Sequence, residues 1–157
     1  MTYQLAIVGH GRYPEGVMSA LKLLAGTTDN LHAFNLDENT THEQFTKDID
    51  TFLDENDDAI VFADMTGGAP HQITARLILD KNKPNQYIIS SAPVNLILDL
   101  YAQCQAGMVT PEKIDGILKN SLKEAKGLIQ LLPLRNPILD DLAENDNAAP
   151  DDAGEGI

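Results

Sequence analysis

Leu5-Ala6-Ile7-Val8-Gly9-His10-Gly11 decides the fold of this chain: a short apolar run breaks off at a histidine held between two glycines, and Pro14 follows in the first turn of an amphipathic stretch. Residues 4–9 read as a buried strand, and a helix is predicted from Pro14 to Ala25, with Val17, Ala20, Leu21 and Leu24 at helical spacing. In open α/β sheets ligands bind in the crevice outside the carboxyl ends of the strands, so His10 stands where chemistry is expected. A lone histidine there can equally cap a turn. The flanking glycines permit close approach of a partner backbone or an anion, which makes Gly11 a candidate phosphate contact.

A second junction of the same kind lies further on. Ala59-Ile60-Val61-Phe62-Ala63 is another apolar run, and it ends in Asp64-Met65-Thr66-Gly67-Gly68-Ala69-Pro70 before a helical stretch from Pro70 to Asp80, in which Ile73, Leu77 and Ile78 form the apolar face. Between the two junctions a strand is predicted near Leu31–Leu36, then a helix from Thr41 to Glu55 opened by Thr41 and Gln44 at capping-box spacing. After the break at Lys83-Pro84-Asn85, a strand at Tyr87–Ile89 runs into Ser90-Ser91-Ala92-Pro93. Helices follow at 94–105 and 111–127, the latter started by Thr110-Pro111-Glu112. Strands alternating with helices imply a doubly wound α/β domain, a mostly parallel sheet of about four strands with helices on both faces. Leu128–Leu132 is a short apolar stretch that reads either as an edge strand, offered to another subunit's sheet, or as a coil packed on its own domain. No internal repeat is visible.

Composition narrows the function classes. With 157 residues and 43% hydrophobic content the chain makes one domain, expected over 1–135. Tryptophan is absent and aromatics are 5%, so the core rests on Leu, Ile, Val and Ala, and stacking platforms for bases are disfavoured. A net charge of −13 with 11 Lys and Arg argues against nucleic acid. Much of that charge is local: seven acidic residues and no basic ones lie from Asp140 onward, which leaves −6 on residues 1–139. Residues 136–157 are therefore expected to form a disordered acidic tail. An acidic body favours encounter with a basic protein partner. The single cysteine, Cys104, falls within a helix and reads as a buried, inert thiol. No signal peptide is seen before the first strand and no apolar run reaches the length of a membrane span, so a cytoplasmic location is expected.

If the first and third strands are neighbours, their ends lie about 5 Å apart and His10 meets Asp64. A carboxylate that accepts from one imidazole nitrogen fixes the tautomer and raises the basicity of the other. Metal binding, base catalysis and nucleophilic attack on a phosphoryl group are all chemically open to such a pair. Too few ligands accompany it for a metal: His71 falls on the third helix, and His32 and His42 lie on other elements and read as solvent-facing or satisfied in the core. No nucleophile-elbow serine or cysteine is present, and the short turns leave little material for a substrate cleft, which weakens a hydrolase reading. Gly67 and Gly68, at a helix start, are expected to direct backbone N–H groups and the positive helix end toward an anion, and Thr66 adds a hydroxyl.

The strand-Gly9-His10-Gly11 opening, the Asp64-x-x-Gly67-Gly68-x-Pro70 junction and the order of elements resemble the enzyme IIA component of the mannose class of bacterial sugar phosphotransferase systems, over about residues 3–130. That resemblance implies that His10 accepts a phosphoryl group from the phosphocarrier HPr and passes it to enzyme IIB, with the membrane components IIC and IID downstream and no cofactor. It further implies that Asp64 orients the ring and that Thr66, Gly67 and Gly68 surround the phosphoryl group. It implies a homodimer exchanging an edge strand, for which residues 128–134 are the candidate. Two positions depart from the pattern. Ala69 stands where the family often carries Ser or Thr, removing one hydroxyl contact, and Pro93-Val94-Asn95 replaces an Asn-x-Pro pattern. The acidic tail stands where some members carry a linker to a IIB domain, so a free-standing IIA subunit is expected. The rival readings are the phosphocarrier subunit of a dihydroxyacetone kinase system, which usually lacks the Gly-Gly-x-Pro form, and a regulatory module whose phosphorylated state is read by another protein.

Overall fold

A computed structural model describes residues 3–135. The strands are β1 (Gln4–His10), β2 (Leu31–Leu36), β3 (Asp58–Ala63) and β4 (Asn85–Ser90), and the helices are α1 (Tyr13–Ala25), α2 (His42–Glu55), α3 (Ala69–Lys81), α4 (Val94–Gln105) and α5 (Ile114–Lys126). All pairings are parallel, in the order β2-β1-β3-β4. The chain moves outward one way from β1 to β2 and the other way from β3 to β4, so the order reverses between β1 and β3. Their carboxyl ends, at His10 and Asp64, flank the crevice where such sheets bind ligands.

Alternation along the two central strands builds two cores of different depth. Leu5, Ile7, Ile60 and Phe62 face α1, α4 and α5, where they meet Leu21, Leu96, Leu100, Tyr101 and Ile114. The opposite face carries the smaller Ala6, Val8, Ala59, Val61 and Ala63, and the space they leave is filled by Phe45, Ile49, Phe52 and Leu53 of α2. Because both faces are covered, β1 and β3 are apolar at nearly every position rather than at alternate ones. Each fully buried Leu or Ile contributes about 1.5–3 kcal/mol to this arrangement.

Several local expectations are modified. Thr41 caps α2 by accepting the Gln44 N–H at 3.1 Å. Gln44 does not return the bond; its side chain donates to Asp48 at 2.7 Å, leaving half a capping box. The buried stripe of α1 is Pro14, Val17 and Leu21, with Leu24 60% exposed. On α3 it is Pro70, Thr74 and Ile78, while Ile73 and Leu77 are only partly buried. Here packing rotates each helix away from the face its sequence favours. The last helix starts at Ile114, because residues 111–113 form a turn whose closing bonds run from Lys113 N–H and Ile114 N–H to the Thr110 carbonyl, both 2.9 Å. Cys104 is buried at 2% exposure, and burial pushes its thiol up to about 12.

Residues 128–135 form no strand, and Leu128, Ile129, Leu131, Leu132 and Leu134 are exposed. The expected acidic tail, 136–157, lies outside the described residues. No described helix is long and apolar enough to cross a membrane.

Candidate functional site

His10 is the last residue of β1, and Asp64 is the first residue past β3. The Asp64 N–H donates to the Val8 carbonyl at 3.1 Å, which carries the β1–β3 pairing one residue beyond the strand and fixes the aspartate backbone. Asp64 Oδ2 then accepts twice from one residue: from the His10 main-chain N–H at 2.8 Å and from His10 Nδ1 at 2.7 Å. Its other oxygen accepts the Met65 N–H at 2.8 Å. Burial alone pushes the Asp64 carboxyl up, but the bonds from His10 and Met65 outweigh it and hold the carboxyl below the usual carboxylate range. An ionised carboxylate only accepts, so the hydrogen-bond pattern assigns the ring proton to Nδ1 and leaves the Nε2 lone pair free. The His10 side chain is 47% exposed, against 11% for Asp64. The carboxylate is thus enclosed and the imidazole is open to solvent.

Glycine is required at two points of this geometry. A Cβ on Gly9 would come within 3.0 Å of both Asp64 Cβ and Tyr13 Cδ1, so the residue before the histidine must be bare for the carboxylate to dock. A Cβ on Gly68 would lie 2.7 Å from His10 Cε1 and 3.5 Å from Nε2. Gly68 therefore forms one wall of the space beside Nε2.

The donor set differs from the one read in the sequence. The N–H of Gly11, a candidate phosphate contact, donates to the Leu36 carbonyl at 2.9 Å, tying the turn after β1 to the end of β2. The Gly67 N–H, expected to face an anion, donates to His71 Nδ1 at 3.0 Å. Thr66 Oγ1 donates to Ser90 Oγ at 2.7 Å and lies 3.0 Å from Ser91 Oγ, while the Thr66 N–H donates to Ser91 Oγ. The Gly11 and Thr66 groups are taken because the tertiary fold brings acceptors from the carboxyl ends of β2 and β4 to them, whereas the Gly67 N–H is taken locally by a side chain four residues on. Gly68 caps α3, and among the described residues the N–H groups of Gly68, Ala69 and His71 meet no hydrogen-bond acceptor. They are the first-turn donors left for an anion, at the positive end of the α3 dipole.

Sequence reading missed four participants in this neighbourhood. Tyr13 packs beside Asp64, and burial together with that carboxylate raises its hydroxyl above the ordinary value. Ser90 and Ser91 form the hydroxyl cluster with Thr66, and Ser91 holds the left-handed backbone at φ 52, unusual for a non-glycine residue. His71 is on α3 as expected but touches the site loop. A serine pair at a strand end was the only visible signal among these. Of the remaining histidines, His32 bonds Gln4 at 2.9 Å and lies against Phe52, with burial lowering its pKa, and His42 opens α2. Among the described residues no three His, Cys, Asp or Glu side chains gather as metal ligands. The Pro93-Val94-Asn95 segment starts α4, with Pro93 at its N-cap and Asn95 exposed.

Comparison with known proteins shows the family and the fold. The model of the EIIA-man family, described as PTS system fructose IIA component, matches residues 4–118. No curated protein matches the chain. Among solved structures it is similar to the mannose/sorbose specific IIA subunit of the phosphotransferase system from Enterococcus faecalis, with TM-score 0.67 and 15% identity, covering 87% of this chain and 98% of that one. Phosphotransferase system component EIIA from Streptococcus agalactiae superposes with TM-score 0.65 at 18% identity, covering 82% and 96% of the two chains. A PTS IIA protein associated with the fucose utilization operon from Streptococcus pneumoniae gives 0.60 at 20% identity, covering 90% and 97%. At these identities the structures speak for the fold, and the family match carries the assignment: this chain belongs to the EIIA-man family of phosphotransferase system IIA components.

Proposed function

We propose that the protein is a phosphoryl carrier between two proteins, in which His10 takes a phosphoryl group from phospho-HPr and hands it to enzyme IIB in the course of sugar uptake. The observation that carries this reading is the 2.7 Å contact between His10 Nδ1 and Asp64 Oδ2, which leaves Nε2 as an exposed nucleophile. In the transfer, the Nε2 lone pair forms a bond to phosphorus as the phosphorus–nitrogen bond of the donor phosphohistidine breaks, and that electron pair returns to the donor ring. The proton on His10 Nδ1 stays in place, and Asp64 balances the positive charge that develops on the imidazole. Gly68 lies beside the phosphorylated nitrogen, and the first-turn N–H groups of α3 are suited to its oxygens. Onward transfer is the same displacement with the enzyme IIB nucleophile attacking.

A site half open to solvent, on short turns, suits a macromolecular partner more than a small substrate, and the reading needs no cofactor. Partners of this kind place the protein in the cytoplasm, with IIC and IID as later members of the pathway. The carrier domain is read as 1–135. β4 pairs with β3 alone among the described strands, and the exposed apolar residues of 128–134 lie outside any strand. Both features support a homodimer in which this segment of one copy is added to the sheet of the other.

Incubation with enzyme I, HPr and phosphoenolpyruvate should place acid-labile, base-stable phosphate on the wild type and none on His10→Ala. Absence of label on the wild type, or undiminished label on the variant, refutes the carrier reading. Enzyme IIB should then remove the label; retention in its presence would instead favour the regulatory reading.

A further inference from the structure

The Gly67 main chain is held through both of its peptide units by the first turn of α3. Its N–H donates to His71 Nδ1 at 3.0 Å, and its carbonyl accepts from Gln72 Nε2 at 2.8 Å. Gly67 itself is exposed and has φ +86, a left-handed turn conformation that no side chain of its own can stabilise. The next residue is Gly68, whose bare Cα face lies against Cε1 and Nε2 of His10. Whatever holds Gly67 therefore sets the wall beside the reacting nitrogen.

We propose that His71 is a positioning residue for phosphoryl transfer at His10: by holding the Gly67 N–H, its Nδ1 fixes the turn that places Gly68 and the first-turn N–H groups of α3 next to Nε2. The inference rests on the carrier reading and adds a residue to it. Because Nδ1 accepts a hydrogen bond, the His71 proton resides on Nε2, so the residue works as a neutral acceptor and not as a second nucleophile. Asparagine offers an acceptor oxygen at the position of Nδ1, one bond beyond Cγ. Leucine keeps comparable bulk without an acceptor, and glutamine carries its oxygen one carbon too far out.

The test measures initial rates of transfer from radiolabelled phospho-HPr, at varied HPr concentration, to the wild type and to His71→Asn, His71→Leu and His71→Gln. The Gly67 amide resonance of each reports its hydrogen bond. Removal of the acceptor in the Leu and Gln variants is expected to lower the maximal transfer rate about five- to tenfold, the scale of one net hydrogen bond, with KM for phospho-HPr unchanged and the Gly67 resonance displaced. His71→Asn is expected to restore both. Wild-type rates in His71→Leu, or an Asn variant as slow as the Leu variant, would overturn the proposal. A wild type that takes no label defeats the carrier reading and this proposal with it, whereas a labelled wild type with an unimpaired His71→Leu defeats this proposal alone.

Discussion

Replacing Asp64 by asparagine changes one atom's hydrogen-bonding sense at a position where all three bonds demand an acceptor. One oxygen receives the His10 N–H at 2.8 Å and the ring Nδ1 at 2.7 Å, and the other receives the Met65 N–H at 2.8 Å. An amide has one acceptor. If its oxygen faces His10, its NH2 confronts the Met65 N–H; if the oxygen faces Met65, the NH2 confronts the His10 N–H and can donate to Nδ1. The second arrangement reverses the tautomer, placing the proton on Nε2 and removing the nucleophile. In either arrangement the developing charge on the ring loses a carboxylate partner whose bond has a net value of about 1.5–3 kcal/mol. The transfer rate from phospho-HPr is therefore expected to fall about 10- to 100-fold, since each 1.4 kcal/mol or so is about a factor of ten. The donor–donor confrontation should lower stability by about 1–3 kcal/mol, leaving the domain folded. Rapid-quench transfer kinetics, with urea denaturation as the control for folding, give both numbers. A rate within about twofold of wild type in a folded variant would remove Asp64 from the mechanism, since even a single net hydrogen bond is expected to exceed it.

Two further outcomes follow from the same geometry. The folded-state value of the Asp64 carboxyl lies below its unfolded value, so its contribution to stability is present above the unfolded value of about 3.9 and is lost as pH falls through the lower folded value. The stability gap between wild type and Asp64→Asn should accordingly be full at neutral pH and shrink under acid; urea midpoints with the same gap on both sides of the carboxylate range would refute the assignment of that shift. Gly68→Ala places a Cβ 2.7 Å from His10 Cε1, so the ring must turn and stretch its bond to Asp64. Transfer should slow about tenfold or more while stability falls by only about 1–3 kcal/mol, as overpacking does, and an unaltered transfer rate would show that the ring has room to move.

How far the sequence could be read is clearest at particular residues. Leu5–Val8 and Ala59–Ala63 are unbroken apolar runs ending in glycine-rich turns, and that pattern is demanded of a parallel strand covered on both faces. The adjacency of β1 and β3 was a condition in the sequence, because alternating strands and helices leave the strand order open; the sheet order supplies it and brings His10 and Asp64 together across 54 residues. Helix faces were harder. Leu24 has the periodicity of a core position yet is exposed, while Thr74 is fully buried, because the rotation of α1 and α3 is set by the sheet and by neighbouring helices and not by their own composition.

The chain's local chemistry, by itself, determined the strand ends and the two glycine-rich turns, because each depends on residue type and short-range periodicity; it nominated His10 and Asp64, and the fold joined them across 54 residues. Which donors remain for an anion was decided in the folded chain, and at Gly11 and Thr66 only by contacts between distant elements. Gly11 and Gly67 look alike on paper as bare N–H groups, but one is taken by the Leu36 carbonyl and the other by His71, and Thr66 is taken by Ser90 and Ser91. Backbone N–H groups are claimed by whichever acceptor the fold brings within about 3 Å, and for Gly11 and Thr66 that acceptor comes from another part of the sheet.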